Sequence, residues 1–319
     1  MVPTREPDDP RLAAIQLRRE LIADGLDDRA ITRLVRAGVL HRARYGAYVD
    51  AGAWARCDDV GRHELVARAV LKSAKTEVVL SHLSALAVWE VPIWDLALGP
   101  VHITRVDQRA GRREAGVVQH LGELRPSDTV TVHGIRLTSA TRTALDCVPL
   151  VGIEHGMAIV GDLLHRNLTT PTELEEGRRF MERWPGTLAM DVVLRLADGR
   201  CESPGEHRAL HLCWQQHLPA PIPQYVVRDR AGLVVARLDF AWPELGVFME
   251  FDGKVKYQSL LREGESPSDA VIREKQREEL IRELTGWRCI RITWADLYKP
   301  EATAARIRAL MHRGQDLAS

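Results

Sequence analysis

Asp239, Glu250 and Asp252 are the residues whose types and spacing point most directly to chemistry. They lie in Arg237-Leu-Asp239-Phe-Ala-Trp-Pro-Glu-Leu-Gly-Val-Phe-Met-Glu250-Phe-Asp252-Gly-Lys254-Val-Lys256, two short apolar runs around a Pro-Glu-Leu-Gly turn. Both runs alternate with a period of two, as half-buried strands do. A hairpin closed at Pro243–Gly246 sets Asp239 opposite Glu250, Leu238 opposite Phe251 and Phe240 opposite Met249. One register then gives an apolar face and an acidic face, with Glu250 and Asp252 on the same side and three carboxylates converging. Like charges raise each other's pKa unless a cation sits among them. Carboxylates that hold Mg2+ (or Mn2+) against a phosphate are the commonest reason to build such a site. The competing reading is an edge hairpin whose charges face solvent and block edge-to-edge pairing. A one-residue bulge after Trp242 would flip the second strand and undo the convergence.

The elements around the hairpin are set by their own patterns. Ser203-Pro-Gly-Glu206 opens a helix running to about His217, and strand Gln224–Arg228 leads through a turn into the hairpin. A helix ending near Leu284, a strand over 287–294 and a last helix over 295–312 follow, giving the order α-β-β-β-α-β-α and a central mixed sheet flanked by helices. Glu206 has two readings of equal weight: the acid of a helix capping box, or a further acid of the metal site. Lys254, Lys256 and Lys275 are candidate cations beside the acids, each with a solvated side chain as its competing reading. His207 and His211 fall on one helix face without a third partner, which favours ordinary placement.

This order, with Asp239, then Glu250-x-Asp252-Gly, preceded by the helix acid Glu206, resembles the PD-(D/E)XK nuclease superfamily, and within it the Vsr-like branch. The resemblance covers roughly residues 200–313. It implies a metal-dependent DNA endonuclease, with Asp239 the central ligand and Glu250 the second, and with activated water cutting a phosphodiester. Asp252 stands where many members place lysine. It adds a possible ligand but cannot polarise the phosphate, a role that Lys254, Lys256 or Lys275 would have to assume.

Nearer the N-terminus, the first ten residues hold three prolines and four charges and read as a disordered lead-in. An amphipathic helix over 11–23, a second helix from the cap Asp27 to Gly38, and strands around Arg44-Tyr45-Gly46 form the layout of a winged helix-turn-helix. Arg29, Thr32, Arg33 and Arg36 lie on the exposed side of the second helix, and Arg42 and Arg44 on the wing. Such a local basic patch is the footprint of a DNA-reading unit, although arginines also simply solvate helices. Residues 57–198 alternate helices and short strands as a middle α+β domain. His82, His102, His120 and His133 are spaced too irregularly there to be proposed as ligands. Residues 27–49, Ser81-His-Leu-Ser-Ala and Thr138-Ser-x-x-Arg142-Thr-x-x-Asp146 resemble the AbiEi-type antitoxins of toxin–antitoxin and phage-defence systems. That resemblance implies a winged-helix DNA reader, often repressing its own operon, and a separate toxin protein as partner.

The expected fold class is therefore α+β multidomain: residues 11–56 a winged helix-turn-helix, 57–198 an AbiEi-like α+β domain, and 199–319 a Vsr-like PD-(D/E)XK domain with a mixed sheet. In the 319 residues, 45% hydrophobic and 28% charged, 44 basic side chains balance 44 acidic ones, so any nucleic-acid binding must come from local patches. Five scattered cysteines make neither a disulfide framework nor a zinc site, which fits a reducing cytoplasm. No apolar signal core and no run of membrane-spanning length stand out, so no membrane partner is expected. Two functions follow. One is a DNA-binding endonuclease. The other is a non-catalytic antitoxin or transcriptional regulator that keeps a degenerate nuclease fold.

Overall fold

The computed structural model describes residues 4–92, 94–107, 113–253 and 267–312. The chain is α+β and forms two compact units: residues 1–152 with 166–190, and residues 153–165 with 191–319. The sequence places a boundary near 198, but residues 153–165 and 191–198 belong to the second unit. Local packing gives a reason. A Cβ on Gly161 would stand 2.2 Å from the His207 ring, so the absence of a side chain lets this segment close on the later helix.

In the first unit, β1 (Gln16–Leu17), β2 (Leu40–Arg44) and β3 (Ala47–Asp50) form a small antiparallel sheet in the order β1-β3-β2. Between β1 and β2 lie α1 (Arg18–Ala23) and α2 (Asp28–Arg36). Asp27 caps α2 by accepting the Ala30 N–H. The expected single helix over 11–23 is thus a short 3-10 turn, Pro10–Leu12, then a strand and a six-residue helix. Ile15 and Leu17 are buried beside Ala47 and Val49, and this two-residue spacing is strand spacing. The disordered lead-in is also corrected for residues 4–10. Arg5 donates to both carboxylate oxygens of the buried Glu64, at 2.7 and 2.9 Å, an ion pair closed away from water.

After α3 (Ala51–Arg56) and α4 (Asp59–Ser73), a six-stranded mixed sheet has the order β6-β7-β5-β4-β9-β8. Its strands are β4 (Val78–Leu80), β5 (Val101–Arg105), β6 (Arg113–Glu114), β7 (Val117–His120), β8 (Thr129–Val132) and β9 (Ile135–Thr138). Helix α5 (His82–Trp89) follows β4, and its Ala85, Leu86, Ala87, Val88 and Trp89 are all buried. A helix apolar on every side is a core helix.

Helix α6 (Ala140–His165) is broken at Gly152 (φ 78°, ψ −175°), three residues after Pro149. By length and composition it could cross a membrane, contrary to the sequence reading that no run is long enough. Half of its apolar window is buried inside the protein. Helices α7 (Pro171–Phe180) and α8 (Thr187–Leu196) follow.

The second unit is built on four strands in chain order: β10 (Ile222–Arg228), β11 (Val234–Trp242), β12 (Val247–Asp252) and β13 (Arg288–Thr293). The first three are antiparallel and β13 runs parallel to β12, which gives the mixed sheet expected. Helix α9 (Pro204–Gln215) precedes the sheet, α10 (Pro267–Thr285) enters between β12 and β13, and α11 (Trp294–Leu297) and α12 (Pro300–His312) close the chain. One face carries Phe240, Trp242, Val247, Met249 and Phe251 against Ala209, Leu212, Ile307 and Met311. The other carries Leu238, Ala241 and Phe248 against Ile281 of α10.

Candidate functional site

The exposed arginines sit where the sequence places them. Arg29, Arg33 and Arg36 on α2 and Arg42 on β2 are exposed, and Arg44 is half-buried. The nearby acids are already engaged. Asp27 caps the helix, and Asp28 holds Arg18 through Oδ1 at 2.7 Å and Oδ2 at 2.6 Å. Among the described residues none of the five arginines has a carboxylate partner, which leaves the donors of the four exposed ones to solvent. Thr32 differs, because its hydroxyl donates to the Asp28 carbonyl at 2.7 Å. Tyr45, at the tip between β2 and β3, is 92% exposed.

The hairpin register is the expected one beside the turn, but the expected pairs Asp239–Glu250 and Leu238–Phe251 are not formed. Phe240 pairs with Met249, Ala241 with Phe248 and Trp242 with Val247, and Gly246 takes the left-handed conformation that closes the turn (φ 59°). No bulge follows Trp242. The irregularity lies at Asp239 itself. Leu238 and Phe240, two apart, should share a face, yet they pack into opposite cores. On the neighbouring strand Gln224 has φ 52° and drops out of the pairing between Pro223–Phe240 and Tyr225–Leu238. Its side-chain amide donates instead to Glu206 Oε2 at 2.8 Å.

Because of this break the acids fall into two groups. Asp239 Oδ2 accepts the Phe251 backbone N–H at 2.8 Å. Glu206, 2% exposed, accepts from the Glu202 N–H, the Ser203 hydroxyl and Gln224. Ser203 Oγ in turn accepts the Glu206 N–H, so half of the expected capping box is present, while the Glu206 carboxylate takes the Glu202 N–H and not that of Ser203. Burial raises the Glu206 carboxyl above its ordinary range, its hydrogen bonds oppose this, and the nearby Asp239 charge raises it further. Gly205 holds this turn against the sheet, since a Cβ there would lie 2.0 Å from the Phe251 ring.

Glu250 belongs to the other side. Met249 and Phe251 point into the core under α9, so alternation turns Glu250 towards α10, where Arg277 Nη2 lies 3.4 Å from its Oε1. Asp252 follows on the same side by alternation and pairs with Thr293 along the parallel ladder. Lys254 and Lys256 lie outside the described residues, as does the Lys275 side chain, whose backbone is on α10.

A Mg2+ ion asks for near-ideal octahedral oxygen ligands. Only one group of His, Cys, Asp or Glu among the described residues brings three ligand atoms within 4.8 Å of one another, and it contains none of these acids. The residues do not fit a three-carboxylate Mg2+ centre. Glu206 and Asp239 are the pair that remains. The group that does meet the distance is His82, His102 and His120, which the sequence reading set aside for irregular spacing. Their neighbourhood comes from strand pairing: β5 and β7 are adjacent, with Thr104 opposite His120 and His102 opposite Val118. Spacing along the chain carries no trace of that. The Ser81-His and Thr138–Asp146 motifs lie in this part of the unit, but they carry only the AbiEi resemblance and mark no ligand set.

All five cysteines are free thiols. No family model matches the chain. It is similar to the uncharacterized proteins MT2308 of Mycobacterium tuberculosis (strain CDC 1551 / Oshkosh) and Rv2248 of strain ATCC 25618 / H37Rv, at 28% identity over 185 residues in each case. The match covers 58% of this chain and 65% of each relative, so the chain spans less than two thirds of the length of these proteins.

Proposed function

We propose that this chain is a cytoplasmic DNA-binding protein that docks on duplex DNA through α2 and the β2–β3 hairpin, used as a winged helix-turn-helix. The observation that carries the reading is the set of five arginines, Arg29, Arg33, Arg36, Arg42 and Arg44, left without acid partners while Asp27 and Asp28 are occupied. Phosphate oxygens are the ligands that such a set of open guanidinium donors suits best. With the resemblance to AbiEi-type antitoxins, this supports a regulator that binds its own promoter and has a cognate toxin protein as partner. In this reading the second unit is a Vsr-like PD-(D/E)XK fold retained as a scaffold, supported by its mixed sheet and by the separation of Asp239 from Glu250. Fluorescence anisotropy with the upstream promoter duplex tests it. Binding that weakens with salt and is lost in R29A/R33A/R36A is expected; salt-insensitive binding, or affinity unchanged in that variant, would sink the reading.

A second reading, a Mg2+-dependent endonuclease, is favoured by one observation: Asp239 stands near enough to Glu206 to raise its carboxyl. Mg2+ often makes do with one or two carboxylates plus waters. Cleavage of duplex or single-stranded DNA with Mg2+ or Mn2+, abolished by Asp239→Ala and Glu206→Gln in folded protein, would establish it.

A further inference from the structure

We propose that His82, His102 and His120 form a binding site for a divalent transition-metal ion of the zinc type, in the first unit and separate from the acids of the second. The three residues come from α5, β5 and β7 and bring one ring nitrogen each within 4.8 Å of the others. His102 Nδ1 lies 2.8 Å from His120 Nε2. One N–H···N hydrogen bond between neutral rings satisfies this pair, and an ion shared by both lone pairs would take the place of that hydrogen. An all-imidazole set with no thiolate suits Zn2+, Co2+, Ni2+ or Cu2+, and does not suit the hard ions Mg2+ and Ca2+.

The surroundings are those of a supported ligand set. Ser81 Oγ lies 2.9 Å from His82 Nδ1, and Thr104 Oγ1 donates to that hydroxyl at 2.8 Å. In the tautomer whose Nδ1 hydrogen is donated to Ser81, the other nitrogen of His82 keeps its lone pair for an ion. Ser84 Oγ accepts the His102 backbone N–H and lies 2.8 Å from His63 Nε2, which fixes the strand that carries His102. Ser81 and Ser84 are fully buried, whereas His102 and His120 are half-buried, so an ion has a route in from one side.

Two features of the surroundings bear on the site. The first is Asp146, 4% exposed. Arg142 Nε donates to its Oδ1 at 2.8 Å, but its Oδ2 has no hydrogen-bond partner, and its charge is felt at His120. A buried carboxylate oxygen without a hydrogen-bond partner is costly, and the adjacent Arg142 guanidinium offsets part of that cost. The second is the backbone of His82, which takes the left-handed conformation (φ 53°) at the start of α5. Strain of this kind at a non-glycine residue persists where the surroundings demand it and is concentrated at binding and catalytic sites. The His82 and His120 rings stack at 3.6 Å between centroids, so one of them turns about its side-chain torsions when both in-plane lone pairs meet an ion.

Three histidines leave at least one coordination position for water or another ligand. The test uses the full chain stripped with chelator and titrated with Zn2+ by calorimetry, followed by X-ray absorption at the zinc edge and by Co2+ substitution. One ion per chain is expected, with about three imidazole nitrogens in its shell. His102→Ala and His120→Ala should each weaken binding at least 100-fold, against no change for the exposed His312→Ala. Should either alanine variant fail to fold, His120→Gln and the stoichiometry of the unmodified chain decide the matter. Fewer than about 0.1 ions per chain, a shell without imidazole, or unchanged affinity in folded His120 variants would overturn the site.

Discussion

Asp239 Oδ2 accepts the backbone N–H of Phe251 at 2.8 Å, the next residue along from the Glu250 that it was expected to face. The bond ties the two strands together just where their regular pairing stops, at Phe240 and Met249. Asp239 is therefore first a structural acceptor, whatever else it does.

That bond sets the first prediction. Asp239→Ala leaves a half-buried N–H without its partner and should cost about 1–2 kcal/mol. Asp239→Asn keeps an acceptor and removes the charge that raises Glu206, so it should cost less or nothing. Urea denaturation monitored by tryptophan fluorescence separates the two. DNA affinity should be unchanged in both, which distinguishes this site from the arginine face.

Removing arginines from the face of α2 should act through salt dependence. Each phosphate that an arginine no longer neutralises lowers the slope of log affinity against log salt by about one. Arg29→Ala, Arg33→Ala and Arg36→Ala are expected to weaken binding to all duplex sequences alike where they touch phosphate. Thr32→Val should alter binding less, because the Thr32 hydroxyl is already spent on the Asp28 carbonyl. Anisotropy titrations at several salt concentrations give both slopes.

The Arg5–Glu64 pair makes a stability prediction in a segment that reads as a disordered lead-in. Both side chains are only 1% exposed. Breaking a buried pair by removing one partner costs about 3–5 kcal/mol. Arg5→Ala should fall at the lower end, since Arg68 still approaches Glu64 Oε1 at 3.2 Å. A deletion of residues 1–8 should destabilise the protein by a similar amount in thermal unfolding; an unchanged melting temperature would contradict the pairing.

Acid should destabilise the metal-free chain through its neutral histidines. Burial lowers His63 to about 4 and His82 and His120 to about 3, against an ordinary value of 6.5. The unfolded chain binds these protons first, so the stability they contribute is whole above about pH 6.5 and is lost as pH falls towards 3. Asp146 works the other way: burial raises it to about 6, so its destabilising charge is relieved over the same descent. The histidines outnumber it, and the melting temperature should fall from pH 7 to 4 with net proton uptake on unfolding. Substituting His120 with Asn should flatten that slope.

Much of the fold is legible in the residues. The hairpin turn, its register and the capped helix at Ser203 follow from period-two alternation, a glycine able to take φ 59° and a Ser-x-x-Glu cap, all of them interactions between near neighbours. The same holds for α2, its cap Asp27 and its row of exposed arginines. What the residues could not supply is the orientation of Asp239, because that depends on a left-handed residue on another strand, Gln224, whose side chain is drawn to Glu206.

In the second unit, the order of elements and the faces of the hairpin beside its turn were determined by the residue pattern, since both follow from periodicity and turn chemistry within a few residues. Which polar groups meet was left to long-range packing. The pairing of β5 with β7 placed His102 beside His120, and the break at Asp239 set it apart from Glu250. Alternation gives each strand two faces but does not say which strand will be its neighbour, and a single irregular residue reverses the face for everything beyond it.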